Sequence, residues 1–255
     1  MKTTAIIRII LFSLLFLVLV GILLSGIFGG KFIFGFSPSG KIETTERSVS
    51  AEEFSKLEIE WAAGTIKVLT GDTDQITVKE SKDSNNPYAI VIEYEDDTLK
   101  IQYAKSSIHF GNVSSKDLTI IVPENWNCED LTIDGAALEI DVSGLTVESL
   151  ELSGAATELN FNGNLGELEC DGAAAKLNLT CTNSPDQISI DGAACELDLT
   201  LPVNCGYRVE TDGLAIDFNS NCAYTSKNGE YIYGNAYSHI NVSGLGCKVT
   251  VDEVQ

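Results

Sequence analysis

The stretch Leu131-Thr-Ile-Asp-Gly135-Ala-Ala-Leu-Glu-Ile-Asp-Val142 decides the fold, because five further segments repeat its pattern around a glycine. By subtraction, the glycines lie 19, 18, 20 and 21 residues apart, and the last two lie 31 apart. A fixed period of this length is typical of repeat architectures. In chain order, the six copies are Leu131–Val142, Leu150–Phe161, Leu168–Leu179, Ile188–Leu199, Val209–Ser220 and Ile240–Val251.

Apolar and polar residues alternate on both sides of each glycine. In the first copy Leu131 and Ile133 share one side of the pattern, and Thr132 lies on the other. This period of two is typical of a half-buried strand. Glycine also permits backbone angles that other residues rarely adopt, so each copy predicts a strand, a corner and a second strand. The predicted structural corner residues are Gly135, Gly154, Gly172, Gly192, Gly213 and Gly244.

Equivalent positions of successive copies carry similar residues. Two small alanines follow the glycine in each of the first four copies, and the sixth position after it is Asp or Asn in five. Like residues over like residues are expected when copies stack in parallel, about 4.8 Å per rung. We therefore predict an all-β fold, a single β-solenoid. The alternative is a sandwich of antiparallel hairpins, because Asp-Gly is also a hairpin turn signal.

The region before the repeats is also β-like. Leu57–Val68 has the same form around Gly64, and four further strands are predicted, with polar loops over 79–86 and 104–116. The β-repeat domain is thus expected to span residues 50–255. The further strands are Ile76–Val78, Ile90–Ile92, Leu99–Tyr103 and Leu118–Val122.

The N-terminus predicts a membrane anchor. No charged residue occurs from Ile9 to Phe28, and about 20 apolar residues match the thickness of a bilayer core. Lys2 and Arg8 precede this run, which by the positive-inside rule predicts a cytoplasmic N-terminus. We expect a cytoplasmic tail over 1–8, a transmembrane helix over 9–30, a tether over 31–49 and an extracytoplasmic domain, hence a single-pass protein of the cell membrane. The alternative is a cleaved signal peptide, whose apolar region is usually shorter.

Charge excludes some partners. The formal net charge is -21, and the sequence contains no Lys/Arg patch. Nucleic acids and anionic lipid headgroups are therefore not expected to bind. The acidic surface could instead bind cationic partners or cations, or serve only to keep the protein soluble.

Seven cysteines lie in a compartment where disulfides are expected to form. Cys170, Cys195 and Cys247 occupy inward positions of the pattern and are predicted to be buried free thiols. Cys128, Cys181, Cys205 and Cys222 lie in or near connections and are the disulfide candidates, with no pairing indicated by the sequence.

Acidic residues recur at fixed offsets. Asp134, Asp171, Asp191 and Asp212 precede their glycines, which is typical of turns, and calcium binding is the alternative. A second set of charged residues, one from each copy, is predicted to form a solvated face, with the copies stacked in the order in which they occur in the chain. In this stack Lys176 relieves the repulsion between Glu158 and Glu196. That set is Glu139, Glu158, Lys176, Glu196, Asp217 and Lys248.

Motifs for catalysis are missing from the sequence. Its two histidines, His109 and His239, have no motif around them, and no nucleophile elbow, phosphate loop, zinc-protease motif or Cys-x-x-Cys occurs. We predict that the chain is not an enzyme and has no cofactor and no metal.

The strand-Gly-strand ladder, the run Leu118-Thr-Ile-Ile-Val-Pro123 before it and the single N-terminal anchor together resemble one bacterial family. This is the "putative adhesin" β-strand-repeat family of unknown function, some of whose members are encoded beside envelope-stress regulators. The resemblance covers roughly residues 50–255. It implies a β-solenoid and a location in the cell envelope.

The insertion from Asn221 to His239 departs from the repeat and is rich in tyrosine. Tyr224, Tyr231, Tyr233 and Tyr237 are the candidate interaction surface, and a cap over the last open rung is the alternative. We expect an interaction or sensing module that binds another envelope protein or a cell-wall component. A passive structural envelope protein is the alternative function.

Overall fold

The structure, a computed structural model, describes residues 41–104 and 115–254. Over these residues the fold is all-β, as predicted, and the helical content is one 3-10 turn, Ala51–Glu53. No helix within them is long and apolar enough to cross a membrane. The tail, the anchor and most of the tether predicted from sequence lie outside the described residues.

Fifteen strands form one sheet system. They are β1 (Ile42–Ser50), β2 (Lys56–Glu60), β3 (Ala63–Gly71), β4 (Gln75–Asp83), β5 (Val91–Glu95), β6 (Thr98–Gln102), β7 (Lys116–Pro123), β8 (Asn127–Cys181), β9 (Gln187–Leu201), β10 (Tyr207–Gly213), β11 (Asp217–Asn219), β12 (Thr225–Lys227), β13 (Glu230–Tyr233), β14 (Ser238–Gly244) and β15 (Cys247–Glu253).

The repeated copies stack in parallel. β8 pairs in parallel with β9, placing Gly172 beside Gly192 and Leu177 beside Leu197. β2 and β3 pair in parallel with the start of β8, so the weaker copy around Gly64 is a rung as well. This parallel register excludes the antiparallel sandwich and fits a β-solenoid.

The rungs do not follow chain order at the C-terminal end. The sixth copy, β14 and β15, lies between the fourth (β9) and the fifth (β10 and β11), so Gly244 pairs with both Gly192 and Gly213. The predicted stacking in chain order is therefore wrong for the last two copies. Charge supplies a physical reason, because chain order would set the acidic side chains Glu196 and Asp217 side by side, which destabilises a sheet.

The corner glycines are needed mainly for room rather than for unusual backbone angles. Of the six, only Gly213 has a positive φ, at +148°. A Cβ on Gly154 would lie 2.5 Å from the carbonyl oxygen of Gly135, and a Cβ on Gly192 would lie 2.5 Å from that of Gly172. These contacts are too short for any side chain, so the glycines allow the rungs to approach each other.

The recurrent Asp or Asn forms a ladder of hydrogen bonds between the rungs of the first three copies. Asn160 Nδ2 donates to Asp141 Oδ1 at 3.1 Å, and Asn178 Nδ2 donates to Asn160 Oδ1 at 2.8 Å. Inward apolar residues from all rungs form one buried core. Cys170, Cys195 and Cys247 belong to it, as predicted.

Antiparallel strands cover both ends of the parallel stack. At one end β4 pairs with β7 and β5 pairs with β6, and β1 then pairs with β4. At the other end β13 pairs with β10, and β12 pairs with β13. Two predictions change here, because residues 42–49 of the expected tether belong to β1 and residues 79–83 of an expected loop belong to β4.

Candidate functional site

The insertion between the fifth and sixth copies folds into a β-hairpin. β12 and β13 are joined at Asn228 and Gly229, whose φ angles of 54° and 80° are those of a two-residue type I′ turn. β13 pairs antiparallel with β10, from Tyr207 opposite Tyr233 to Glu210 opposite Glu230. The hairpin thus occupies the edge of the fifth copy, which would otherwise be the open end of the stack.

Three of the four predicted tyrosines form what we call the tyrosine cap: Tyr224, Tyr231 and Tyr233. The Tyr231 ring stacks on Phe218 with centroids 4.2 Å apart, and Tyr224 meets Phe218 edge-on at 5.0 Å. Tyr233 lies 5.5 Å from the buried ring of Tyr207. These contacts favour the capping interpretation for the three residues, although the exposed part of Tyr224 still faces solvent.

The fourth tyrosine lies apart from the cap. Tyr237 is 53% exposed, and its hydroxyl donates a 2.6 Å hydrogen bond to Asp186 Oδ1. This hydrogen bond and the nearby negative charge raise the pKa of Tyr237. The structure therefore does not bring all four tyrosines into one surface, and their role in binding stays a prediction.

An open groove of about 510 Å³ lies beside the tyrosine cap, between the hairpin and the polar side of β10 and β14. Its walls offer carboxylates, an amine, amides and hydroxyls, together with one apolar side chain. The groove is lined by Glu210, Thr211, Asp212, Lys227, Asn228, Gly229, Glu230, Asn241, Val242 and Ser243.

The negative charges of the groove are partly balanced by the lining residue Lys227 and by Arg208 next to the groove. Glu210 and Glu230 are directly opposite each other on β10 and β13. Arg208 bridges them, with Nε 3.3 Å from Glu230 Oε1 and Nη1 4.0 Å from Glu210 Oε1. Asp212 forms no ion pair with any described residue. The groove therefore presents a net negative, hydrogen-bonding surface that suits a cationic or amide-rich ligand.

The aspartates before the glycines do not assemble into a metal centre within the described residues. Asp171 and Asp191 are register neighbours, but Ser243 separates Asp191 from Asp212. Asp134 Oδ1 instead accepts a 3.0 Å hydrogen bond from Ser153. In residues 41–104 and 115–254, no three or more His, Cys, Asp or Glu side chains form a group suited to a metal ion.

All seven cysteines are free thiols in the structure. Two of the four disulfide candidates, Cys128 and Cys181, are buried core residues. Burial raises the pKa of each of these two thiols to about 12, and it does the same for Cys170 and Cys195. Such thiols are poor nucleophiles at neutral pH.

A buried lysine lies at the opposite end of the stack, on β7. The side chain of Lys116 is fully buried, and its Nζ donates to Glu80 Oε1 at 2.5 Å and to the Tyr103 carbonyl oxygen at 2.7 Å. The Nζ also lies 4.0 Å from the Tyr103 ring centroid and 5.1 Å from that of Trp61. Desolvation lowers the pKa of Lys116, and the hydrogen bond and charge of Glu80 oppose that shift.

Sequence reasoning missed the groove and this buried lysine. The groove had a usable signal, because Asn228-Gly229 between two short strand-like segments predicts a hairpin. Lys116 had no such signal, since lysine is almost never fully buried unless it is paired.

A family model matches most of the parallel rungs of the chain but not the hairpin. The model of the family described as Toastrack DUF4097 matches residues 54–202, which is more than half of the chain. The chain belongs to the Toastrack DUF4097 family. The match covers the rungs from β2 to β9 and stops before the hairpin, so the groove lies outside the matched part of this Toastrack protein.

One solved structure supports the fold of the Toastrack chain, and a second matches it with a lower TM-score. The crystal structure of a "putative cell adhesion protein" from Clostridium sporogenes is 15% identical, with a TM-score of 0.51, and the match covers 84% of this chain and 100% of that one. A "putative adhesin" from Bacteroides fragilis is 14% identical, with a TM-score of 0.42 and coverage of 85% and 99%. A search of curated proteins finds no match.

Proposed function

We propose that this Toastrack protein is a membrane-anchored, extracytoplasmic binding module of the bacterial cell envelope, which engages another envelope protein or a cell-wall component. It needs no cofactor and performs no catalytic step. The uncharged run Ile9–Phe28 supports the anchor, and the adhesion role named for the Clostridium sporogenes protein agrees with a binding module.

The observation that carries the proposal is the groove beside the tyrosine cap. The hairpin departs from the repeat, yet it is fixed by backbone pairing to β10 and by aromatic packing on Phe218. Irregular segments held on a rigid scaffold are where binding commonly resides. The groove offers a fixed negative surface without a disordered loop that binding would first have to order.

Photo-cross-linking in intact cells tests the binding role. A photoreactive residue replaces Asn228 in the groove, and a matched control replaces the exposed Asp72 in the turn between β3 and β4. We expect one dominant partner from position 228 and none in common with position 72. Identical mixtures of abundant neighbours from both positions would instead support the passive structural role.

Membrane fractionation and external protease treatment test the location. We expect the full-length chain in the membrane fraction and cleavage by protease added outside the cells. Full-length chain in the cytosolic fraction would contradict the proposal even if a partner were captured.

A further inference from the structure

Strand β1 is an edge strand that contributes almost nothing to the core. Eight of its nine residues are exposed, and only Val49 is half-buried. Among the described residues β1 pairs with β4 alone, in an unbroken antiparallel register from Ile42 to Ser50. It contains no proline and no bulge, which are devices that commonly protect an edge from pairing with another chain.

The direction of the backbone groups of β1 follows from one hydrogen bond. The Ser84 amide donates to the Lys41 carbonyl oxygen at 2.8 Å, so the backbone groups of odd-numbered residues point toward β4. Backbone groups alternate in direction along a strand. The N–H and C=O groups of Ile42, Thr44, Glu46 and Ser48 therefore point to the open edge.

Two charged side chains of β1 have no ionic partner within the described part of the chain. Glu43 and Arg47 form no ion pair with any described residue, whereas Glu46 is paired with Lys79 at 3.3 Å. Lys82 is opposite Glu43, but its amine donates to the carbonyl oxygens of Asn86 and Tyr88. Because side chains alternate, Glu43 and Arg47 lie on the same side of the strand, with Thr45 between them.

We propose that β1 is a dimerisation edge, and that its partner is β1 of a second copy of this chain, paired antiparallel about a two-fold axis at Thr45. A two-fold axis perpendicular to the sheet leaves each side chain on the same face of the sheet in both copies. Because facing residues share a face and side chains alternate along a strand, the numbers of two facing residues must be both odd or both even. With Thr45 on the axis, Glu43 of each copy faces Arg47 of the other. The four unpaired ions of the two copies thereby form two ion pairs.

Neighbouring symmetric registers are disfavoured by like charges. An axis at Thr44 sets Lys41 opposite Arg47, and an axis at Glu46 sets two copies of Glu46 face to face. Like charges directly opposite destabilise a sheet. The sequence of β1 therefore selects one register for pairing with itself, and this charge complementarity is what points to a second copy as the occupant.

Site-directed cross-linking of the full-length chain tests the register. Thr45 is a non-hydrogen-bonded position of the proposed pair, where facing Cα atoms are about 4.5 Å apart, within disulfide range. We expect Thr45→Cys to form a disulfide-linked dimer under mild oxidation. The matched control is Thr44→Cys, which is exposed on the same strand. In the proposed register its two copies would be diagonal neighbours about 8 Å apart and out of range.

A charge exchange tests the pairing itself. Glu43→Arg alone and Arg47→Glu alone each turn two attractive contacts into repulsive ones, so we expect each to weaken the dimer about tenfold. The double variant Glu43→Arg/Arg47→Glu restores the facing charges and should return the dimer to near wild-type strength. Circular dichroism checks that each variant, changed only at exposed positions, remains folded.

Three results would overturn the proposal. Equal cross-linking of Thr44→Cys and Thr45→Cys would exclude the register. A double variant no stronger than the single variants would exclude the ion pairs. A photoreactive group at position 45 that captures a different protein, with no dimer formed, would show that a second copy is not the occupant.

Discussion

Lys248 donates a 2.7 Å hydrogen bond to Glu196, although 52 residues separate them in the chain. The bond exists because the sixth copy lies beside the fourth, where Lys248 also faces Asp217 on its other side. At the preceding rungs Lys176 donates to Glu158 at 2.7 Å, as the sequence predicted. Lysines and carboxylates therefore alternate along this face from Glu158 to Asp217.

Lys248→Glu is expected to destabilise the C-terminal rungs, because it sets three carboxylates in a row. Lys248→Gln, which removes the charge without adding repulsion, is the control and should have a smaller effect. The measurement is the urea midpoint of unfolding at low and at high salt. Screening should reduce the difference between the two variants, and a difference that salt does not change would argue against the electrostatic explanation.

For the buried pair of Lys116 and Glu80, we expect that removing one charge destabilises the fold more than removing both. Lys116→Ala leaves the Glu80 carboxylate buried without its cation, which typically costs about 3–5 kcal/mol of unfolding free energy. Lys116→Met combined with Glu80→Gln removes both charges and should cost clearly less. Urea denaturation followed by tryptophan fluorescence suits this pair, since Trp61 Nε1 donates to the Lys116 carbonyl oxygen at 3.0 Å. A double variant as unstable as the single one would contradict the account.

The corner glycines predict a graded series of alanine substitutions. At Gly172 a Cβ would lie 2.9 Å from the Gly154 carbonyl oxygen, so a small shift between rungs relieves the contact. At Gly213 the Cβ would collide with the Gly244 carbonyl oxygen, and φ of +148° also disfavours any side chain. Gly213→Ala should therefore lower the melting temperature more than Gly172→Ala. Equal losses would show that close approach of the rungs is not the constraint.

The buried thiols predict a loss of stability in alkali. Burial raises the pKa of Cys128, Cys170, Cys181 and Cys195 from 9.0 to about 12, so above pH 9 the unfolded chain loses protons that the native chain retains. The contribution of these thiols to the free energy of unfolding should be constant well below pH 9 and fall between pH 9 and pH 12, by up to about 4 kcal/mol per thiol. Cys170→Ala should show a shallower fall over the same range. Wild-type and variant curves of equal slope would count against this explanation.

The repeat was predictable because its evidence is local and repeated six times. Alternation around Gly135 and its equivalents is enough to predict strands, and residues such as Asn160 and Asn178 at one offset indicate parallel stacking. The order of the last two copies depends on which distant rung Lys248 contacts, and the apolar-polar alternation within a copy carries no information on that choice.

The two ends of the stack were the hardest parts to predict. β1 has no apolar stripe, since it pairs through its backbone while exposing both sides, so the sequence resembled a tether. The tyrosines of the insertion were visible as a cluster, but whether they face solvent or Phe218 depends on the edge that the hairpin covers. In both cases the structure depends on pairing with the edge of another strand. Pairing through backbone groups is hard to recognise from the pattern of side chains.

The order of the rungs is the central claim, since it places the hairpin, the tyrosine cap and the groove at the end of the stack. Two double-cysteine variants test it. Asn219→Cys/Thr250→Cys places cysteines at positions that face each other on β11 and β15 in the structure. Asp198→Cys/Asn219→Cys places them at positions that would face each other only if the copies stacked in chain order. Peptide mapping after mild oxidation distinguishes the new bonds from the seven native thiols. We expect a disulfide between positions 219 and 250 and none between 198 and 219. The reverse result would show that the copies stack in chain order and would contradict the account.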